Sequence, residues 1–217
     1  MRILSFGDSY TYGYGMPDCG NRSSVPSLLA YPQLLAHEFK CGVLNLASPG
    51  ASNKEIWNVI LQSKVMPDDI VTIMWSDLAR TCVINTPQED PATTNKWRIA
   101  ELTTGKFYTE HMTAMGHWIE TELSQSYYRH VHNDNDASII SNLYMSHADS
   151  YLKSIGVKAV IHALIPHTIV TKPFWNKNIK LLTWKLKDTQ KTPDGHGGPK
   201  AHEEFAKILA REIANNA

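Results

Sequence analysis

Residues 1 to 6, MRILSF, form a short apolar run that stops at Gly7. A run of that length bounded by glycine predicts a buried strand delivering the chain into a tight turn. Tyr31, Leu34, Leu35 and Phe39 then recur at helical spacing, and Cys41-Gly42 closes that stripe before a second apolar run, Val43 to Ala47. Past the turn-rich stretch Ser48 to Asn53, Ile56, Val59 and Ile60 give another helical stripe. Pro67-Asp68-Asp69 introduces a third strand over Ile70 to Trp75. A fourth strand is predicted over Gly156 to Leu164 and a weaker fifth over Ile179 to Leu182. Strands alternating with helical patterns predict βαβ units, hence a parallel sheet covered on both faces.

Two stretches interrupt that alternation. Residues 80 to 110 mix Thr, Pro, Asn and Asp with isolated aromatics such as Trp97, Phe107 and Tyr108, and read as a long inserted loop, a lid or specificity insert. Residues 111 to 153 read as two helices broken near Asn133 to Asp136, where the chain turns polar. The last helix is the clearest: Pro199 suits its first turn, Glu203 and Glu204 its positive end, and Phe205, Ile208, Leu209 and Ile213 its buried stripe.

Composition narrows the class. With 217 residues, 42% of them hydrophobic and 19% charged, the chain is long enough for one compact domain, here 1–217, with an insertion at about 80–110. Twenty-one basic residues balance twenty-one acidic ones, which gives no reason to expect nucleic acid or an anionic membrane as partner. The balance is uneven along the chain. Residues 1 to 149 carry 10 Lys/Arg against 16 Asp/Glu, and residues 150 to 217 carry 11 against 5, which predicts a basic surface near the C-terminal third. Cys19, Cys41 and Cys82 are odd in number, widely spaced and free of any ligand pattern, so free thiols are expected. No signal-peptide core and no 18-residue apolar run occurs, so the chain reads as cytoplasmic when synthesised.

The chemistry gathers at the two ends. Phe6-Gly7-Asp8-Ser9-Tyr10-Thr11-Tyr12-Gly13 sets a serine just after the first strand, and a parallel sheet presents its ligands outside the carboxyl ends of its strands. A serine hydroxyl is too weakly acidic to attack an ester unaided. It needs an imidazole to take its proton, and that imidazole needs a carboxylate to fix its tautomer. Pro193-Asp194-Gly195-His196-Gly197-Gly198-Pro199 supplies both immediately before the final helix.

Together, FGDSYTYG, Gly50 within NLASPGASN, and DGH followed by a helix bearing His202 resemble blocks of the SGNH/GDSL hydrolase superfamily, in the same order. The resemblance implies a three-layer α/β/α sandwich with a flavodoxin-like, mostly parallel five-stranded sheet. It also implies Ser9 as nucleophile, His196 as base, Asp194 as its orienting partner and Gly50 as an oxyanion donor through its backbone N–H. The chain departs from the family twice. Where the third strand of the family ends in Gly-x-Asn-Asp, this chain has Met74-Trp75-Ser76-Asp77, so Ser76 stands where the amide donor is expected. The Asp-x-His spacing is one residue tighter than the family's commoner Asp-x-x-His.

Each of these residues has a plainer rival. Asp8 and Ser9 can cap a helix by bonding backbone amides. His202 can replace His196 as base, or serve as a packing residue in the last helix. Asn53 is the next candidate for the amide donor. His130 and His132 invite a metal reading, but their spacing fits a polar helix end better. Lys172, Lys177, Lys180, Lys185, Lys187 and Lys191, interleaved with Phe174, Trp175 and Trp184, suit either a polyanion groove or a solvated face over buried aromatics. The function expected on balance is a serine esterase that needs no metal or organic cofactor. Its substrate would be a small-molecule or glycan ester, with a carbohydrate O-acetyl esterase favoured. The alternative is a catalytically silent glycan- or polyanion-binding module on the same fold.

Overall fold

The computed structural model describes residues 1–19, 25–84, 112–116, 119–166 and 176–216. Its centre is a five-stranded, all-parallel sheet built from β1 (Arg2–Phe6), β2 (Gly42–Asn45), β3 (Ile70–Trp75), β6 (Ala159–Leu164) and β7 (Leu181–Thr183). Their order across the sheet is β2-β1-β3-β6-β7, the flavodoxin-like arrangement. The remaining strands, β4 (Thr81–Ile84) and β5 (Met112–Met115), form a separate antiparallel pair. That pair occupies ground expected to be loop up to residue 110 and helix beyond it. Residues 85–110 of the expected insert, including Trp97, Phe107 and Tyr108, lie outside the described residues.

Strand alternation sorts the core into two layers. Ile3, Ile70 and Met74 face one side, where α2 (Tyr31–Glu38) and α6 (Pro199–Asn216) bring Tyr31, Leu35, Phe205, Leu209 and Ile213. Leu4, Phe6, Val71, Ile73 and Trp75 face the other, against α3 (Asn53–Gln62) and the long α5 (Asp134–Ile155). On the first side Ser5 and Thr72 are buried neighbours across β1 and β3, and their hydroxyls satisfy each other at 2.7 Å. The final helix turns one expected residue outward. Ile208 is 43% exposed, because the buried row runs His202, Phe205, Leu209 and Ile213 on one stripe and Ile208 lies to its side.

The interruption between the two middle helices is present where it is expected. Between α4 (Glu122–His130) and α5 the chain leaves helical geometry, and the Asn133 side chain caps α5 by accepting from the N–H groups of Asn135 and Asp136. Cys19, Cys41 and Cys82 are free thiols. Among the described residues no helix is long and apolar enough to cross a membrane.

Candidate active site

Every predicted site residue lies in a connection beyond the carboxyl ends of the parallel strands. β1 delivers Gly7 into a turn so tight that a Cβ there would meet the Thr11 side chain and the carbonyl of Met74, at 3.0 Å. The short helix α1 (Ser9–Tyr12) begins at once. Asp8 caps it, its Oδ1 accepting the N–H of Tyr10 at 3.1 Å. Gly13 closes it in the left-handed region at φ +80°. The capping expected as a rival reading is present: the cap is Asp8, and Ser9 occupies the first turn with its hydroxyl turned to another loop. Its N–H is one of the orphan donors of a helix start.

The opposing loop is a tight reversal ahead of α6. Thr192 N–H donates to the carbonyl of His196 at 2.8 Å, Gly195 N–H donates to that of Thr192 at 2.9 Å, and Gly198 N–H donates to that of Gln190 at 2.7 Å. In this loop the His196 ring packs beside the rings of Tyr10 and Tyr14, whose centroids lie 4.9 and 5.4 Å from its own. His196 Nε2 stands 2.9 Å from Ser9 Oγ, a contact between residues 187 positions apart.

The contact between His196 and Asp194 is looser. His196 Nδ1 lies 3.3 Å from Asp194 Oδ1 without the alignment of a hydrogen bond. The same Oδ1 accepts the Thr192 hydroxyl in a short contact, and the His196 N–H at 3.4 Å. Burial pushes the Asp194 carboxyl upward, but the Thr192 hydroxyl and the His196 ring and N–H outweigh it, holding the group below the ordinary carboxylate value. The carboxylate also rests on Gly15 (φ +78°), where a Cβ would come within 2.6 Å of Oδ1.

Gly50 sits at φ +77° in the turn after β2. That turn runs beside the one that carries Ser9: Ser48 N–H donates to the carbonyl of Gly7 at 3.1 Å. Ser76, expected as a side-chain oxyanion donor, gives its hydroxyl proton elsewhere, to Asp8 Oδ2 at 3.0 Å. Asn53 is committed too. Its Oδ1 accepts the Ser76 N–H at 2.8 Å, and its Nδ2 donates to the Ser76 carbonyl at 3.3 Å and to Ser141 Oγ at 3.1 Å.

Two further participants carry no signal in the sequence. Arg80, four residues past Ser76, reaches back to Asp8 Oδ2 at 2.9 Å. Thr192 is the hydroxyl that holds Asp194. Neither belongs to a motif, and only the folded turns bring them to their partners.

The other candidates lie away from this point. His202 is buried on α6, where its Nδ1 accepts the Tyr31 N–H at 3.0 Å; burial drives its pKa down to about 3, against a smaller upward pull from the Gly197 carbonyl. His132 pairs with Asp134 at 2.9 Å at the α4–α5 junction, and among the described residues no group of three or more His, Cys, Asp or Glu side chains is arranged to hold a metal ion. Within the lysine-rich run, Lys180 pairs with Glu212 and Lys191 with Asp188, while Trp184 is buried and stacked on Phe205 at 4.6 Å. Lys172, Phe174 and Trp175 lie outside the described residues.

No family model matches this sequence, and no curated protein matches it. Solved structures do. A protein of the G-D-S-L family from Desulfitobacterium hafniense superimposes with a TM-score of 0.52 at 12% identity, over 97% of this chain and 98% of that one. An acetyl xylan esterase from the rumen bacterium Butyrivibrio proteoclasticus gives 0.51 at 12%, over 99% of this chain and 64% of that one. A carbohydrate esterase whose active site displays divergent catalytic and non-catalytic binding functions gives 0.50 at 13%, over 99% of this chain and 65% of that one. This chain thus spans less than two thirds of the length of those two esterases. The fold is that of the SGNH/GDSL hydrolases, as the sequence blocks imply.

Proposed function

We propose that this protein is a serine hydrolase of carboxylic esters, acting on O-acetylated carbohydrate. The observation that carries the reading is the 2.9 Å contact between Ser9 Oγ and His196 Nε2, which joins two distant loops at the carboxyl edge of a parallel sheet. Ser9 Oγ attacks the acyl carbonyl as Nε2 takes its proton, while Asp194 favours the Nδ1–H tautomer and the imidazolium that forms. The N–H groups of Ser9 and Gly50 receive the oxyanion. Collapse of the tetrahedral intermediate breaks the ester C–O bond, and the alcohol leaves with the proton from Nε2. Water then attacks the acyl-enzyme, giving its proton to Nε2, and the acid departs as Ser9 is regenerated. No step calls for a metal or an organic cofactor.

Two things support the carbohydrate ester. Tyr14, half-buried beside His196, offers a ring face of the kind that stacks on sugars, and one structural neighbour is an acetyl xylan esterase. The test is labelling of the intact protein with a serine-directed fluorophosphonate, mapping of the modified residue, and assay of acetate release from acetylated xylan. Labelling at Ser9, and loss of hydrolysis by about three to six orders of magnitude in a folded Ser9→Ala variant, are expected. Undiminished hydrolysis by that variant would remove Ser9 from the mechanism.

A second reading is favoured by two observations: the Asp194–His196 arm is off the hydrogen-bond direction, and the Ser76 hydroxyl is spent on Asp8. A site so weakened can serve as a glycan- or polyanion-binding module. Wild-type protein that neither labels nor hydrolyses, yet binds on a glycan array, would select it.

A further inference from the structure

We infer that Arg80 is a positioning residue for the oxyanion hole, an inference that rests on the reading of Ser9 as nucleophile. A single guanidinium nitrogen, Nη1, donates to Asp8 Oδ2 at 2.9 Å and to the backbone carbonyl of Ala51 at 3.3 Å. Asp8 immediately precedes Ser9, and Ala51 immediately follows Gly50. Arg80 therefore ties together the two turns that carry the two N–H donors, from a third turn beyond β3. A bridge of this kind fixes the distance between donors that must both point at one oxygen, where errors of an ångström are costly.

Charge gives the bridge a second effect. Asp8 is fully buried, and its carboxylate is met by the Tyr10 N–H, the Ser76 hydroxyl and Arg80. Of these only Arg80 carries a positive charge. Without it, a buried negative charge stands one residue from Ser9, near the substrate carbonyl oxygen on which negative charge must develop, and opposes that oxyanion through a low-dielectric interior. Asn caps a helix about as well as Asp, so the charge of Asp8 can be removed with its cap retained. The electrostatic effect is thereby separable from the structural one.

The experiment compares wild type, Arg80→Met, Asp8→Asn/Arg80→Met and Arg80→Lys on p-nitrophenyl acetate, with circular dichroism to verify folding. Arg80→Met is expected to lower kcat by about a hundredfold with KM changed less than about threefold. The double variant should recover at least about tenfold of that loss, because it removes the uncompensated carboxylate. Arg80→Lys keeps the charge, but its Nζ stops one atom short of where Nη1 bridges the two turns, so it should fall between wild type and Arg80→Met. A folded Arg80→Met with wild-type kcat overturns the inference, as does a double variant no faster than Arg80→Met. If Arg80→Met fails to fold, Arg80→Lys decides: a reduced kcat at unchanged KM supports the role, and a wild-type kcat overturns it. Wild type inert to both the ester and a fluorophosphonate would instead overturn the nucleophile reading, and this inference with it.

Discussion

Ser76 has one proton and gives it to Asp8, which changes what its removal should do. Had the hydroxyl pointed at the oxyanion, Ser76→Ala would act on the transition state alone, by about ten- to a thousandfold in kcat. As a donor to a buried carboxylate it acts on the folded state, and loss of a hydrogen bond to a charged group costs about 1.5 to 3 kcal/mol. Ser76→Ala should therefore lower the urea midpoint while kcat changes less than about tenfold, since Arg80 and the Tyr10 N–H still hold Asp8. A hundredfold loss of kcat at unchanged stability would return Ser76 to the oxyanion hole. The position of Ser76 is legible from the end of an apolar strand and from the motif it replaces. Its hydrogen bond is not, because the partner lies 68 positions away and a serine hydroxyl rotates to whichever acceptor the fold supplies.

Elements are legible in proportion to their periodicity. β3 has the boundaries expected of it, Ile70 to Trp75, because six consecutive buried residues after Pro67-Asp68-Asp69 leave no other reading. The β4–β5 pair escapes such a reading, since four-residue strands that pair outside the main sheet carry no repeat long enough to recognise. α6 is legible except for the duty of His202. That residue joins two helices: its Nδ1 on α6 accepts the N–H of Tyr31 at the start of α2, a hydrogen bond that needs the neutral ring. Burial holds the folded pKa near 3, far below the ordinary histidine value of about 6.5. Between those values the unfolded chain binds a proton that the folded protein refuses, so stability is full above about pH 6.5 and declines as pH falls toward 3. The slope is about 1.4 kcal/mol per pH unit. The stability advantage of wild type over His202→Gln should thus shrink by about 2 to 3 kcal/mol between pH 6.5 and pH 4.5, measured by urea unfolding at each pH. A constant difference would mean that His202 is protonated in the folded protein.

At the scale of the molecule, strand alternation is enough to predict a parallel sheet, and a parallel sheet is enough to gather the loops after β1, β2 and β3 at one edge. That the final loop joins them depends on β7 lying at the far side of the sheet while its connection returns across the edge to Ser9. No local pattern encodes this return. Charge behaves differently at this scale than along the chain. The excess of 11 basic over 5 acidic residues beyond position 149 suggests a basic face, yet Lys153, Lys180 and Lys191 are each paired with a carboxylate, at 2.7, 2.6 and 2.7 Å. Pairs of this sort cancel most of their field beyond a Debye length, which is about 10 Å at 0.1 M salt. A neutral acetylated glycan should consequently be turned over with a kcat/KM that changes less than about twofold between about 0.05 and 0.5 M sodium chloride. A polyanion-binding module would behave otherwise, because salt screens every attraction between a lysine and the polyanion and the weakening accumulates over several lysines. Measuring kcat/KM on acetylated xylan and binding to heparin across the same salt series separates the two. Flat kinetics with negligible heparin binding supports the esterase reading, whereas heparin binding that falls steeply with salt, without turnover, supports the module.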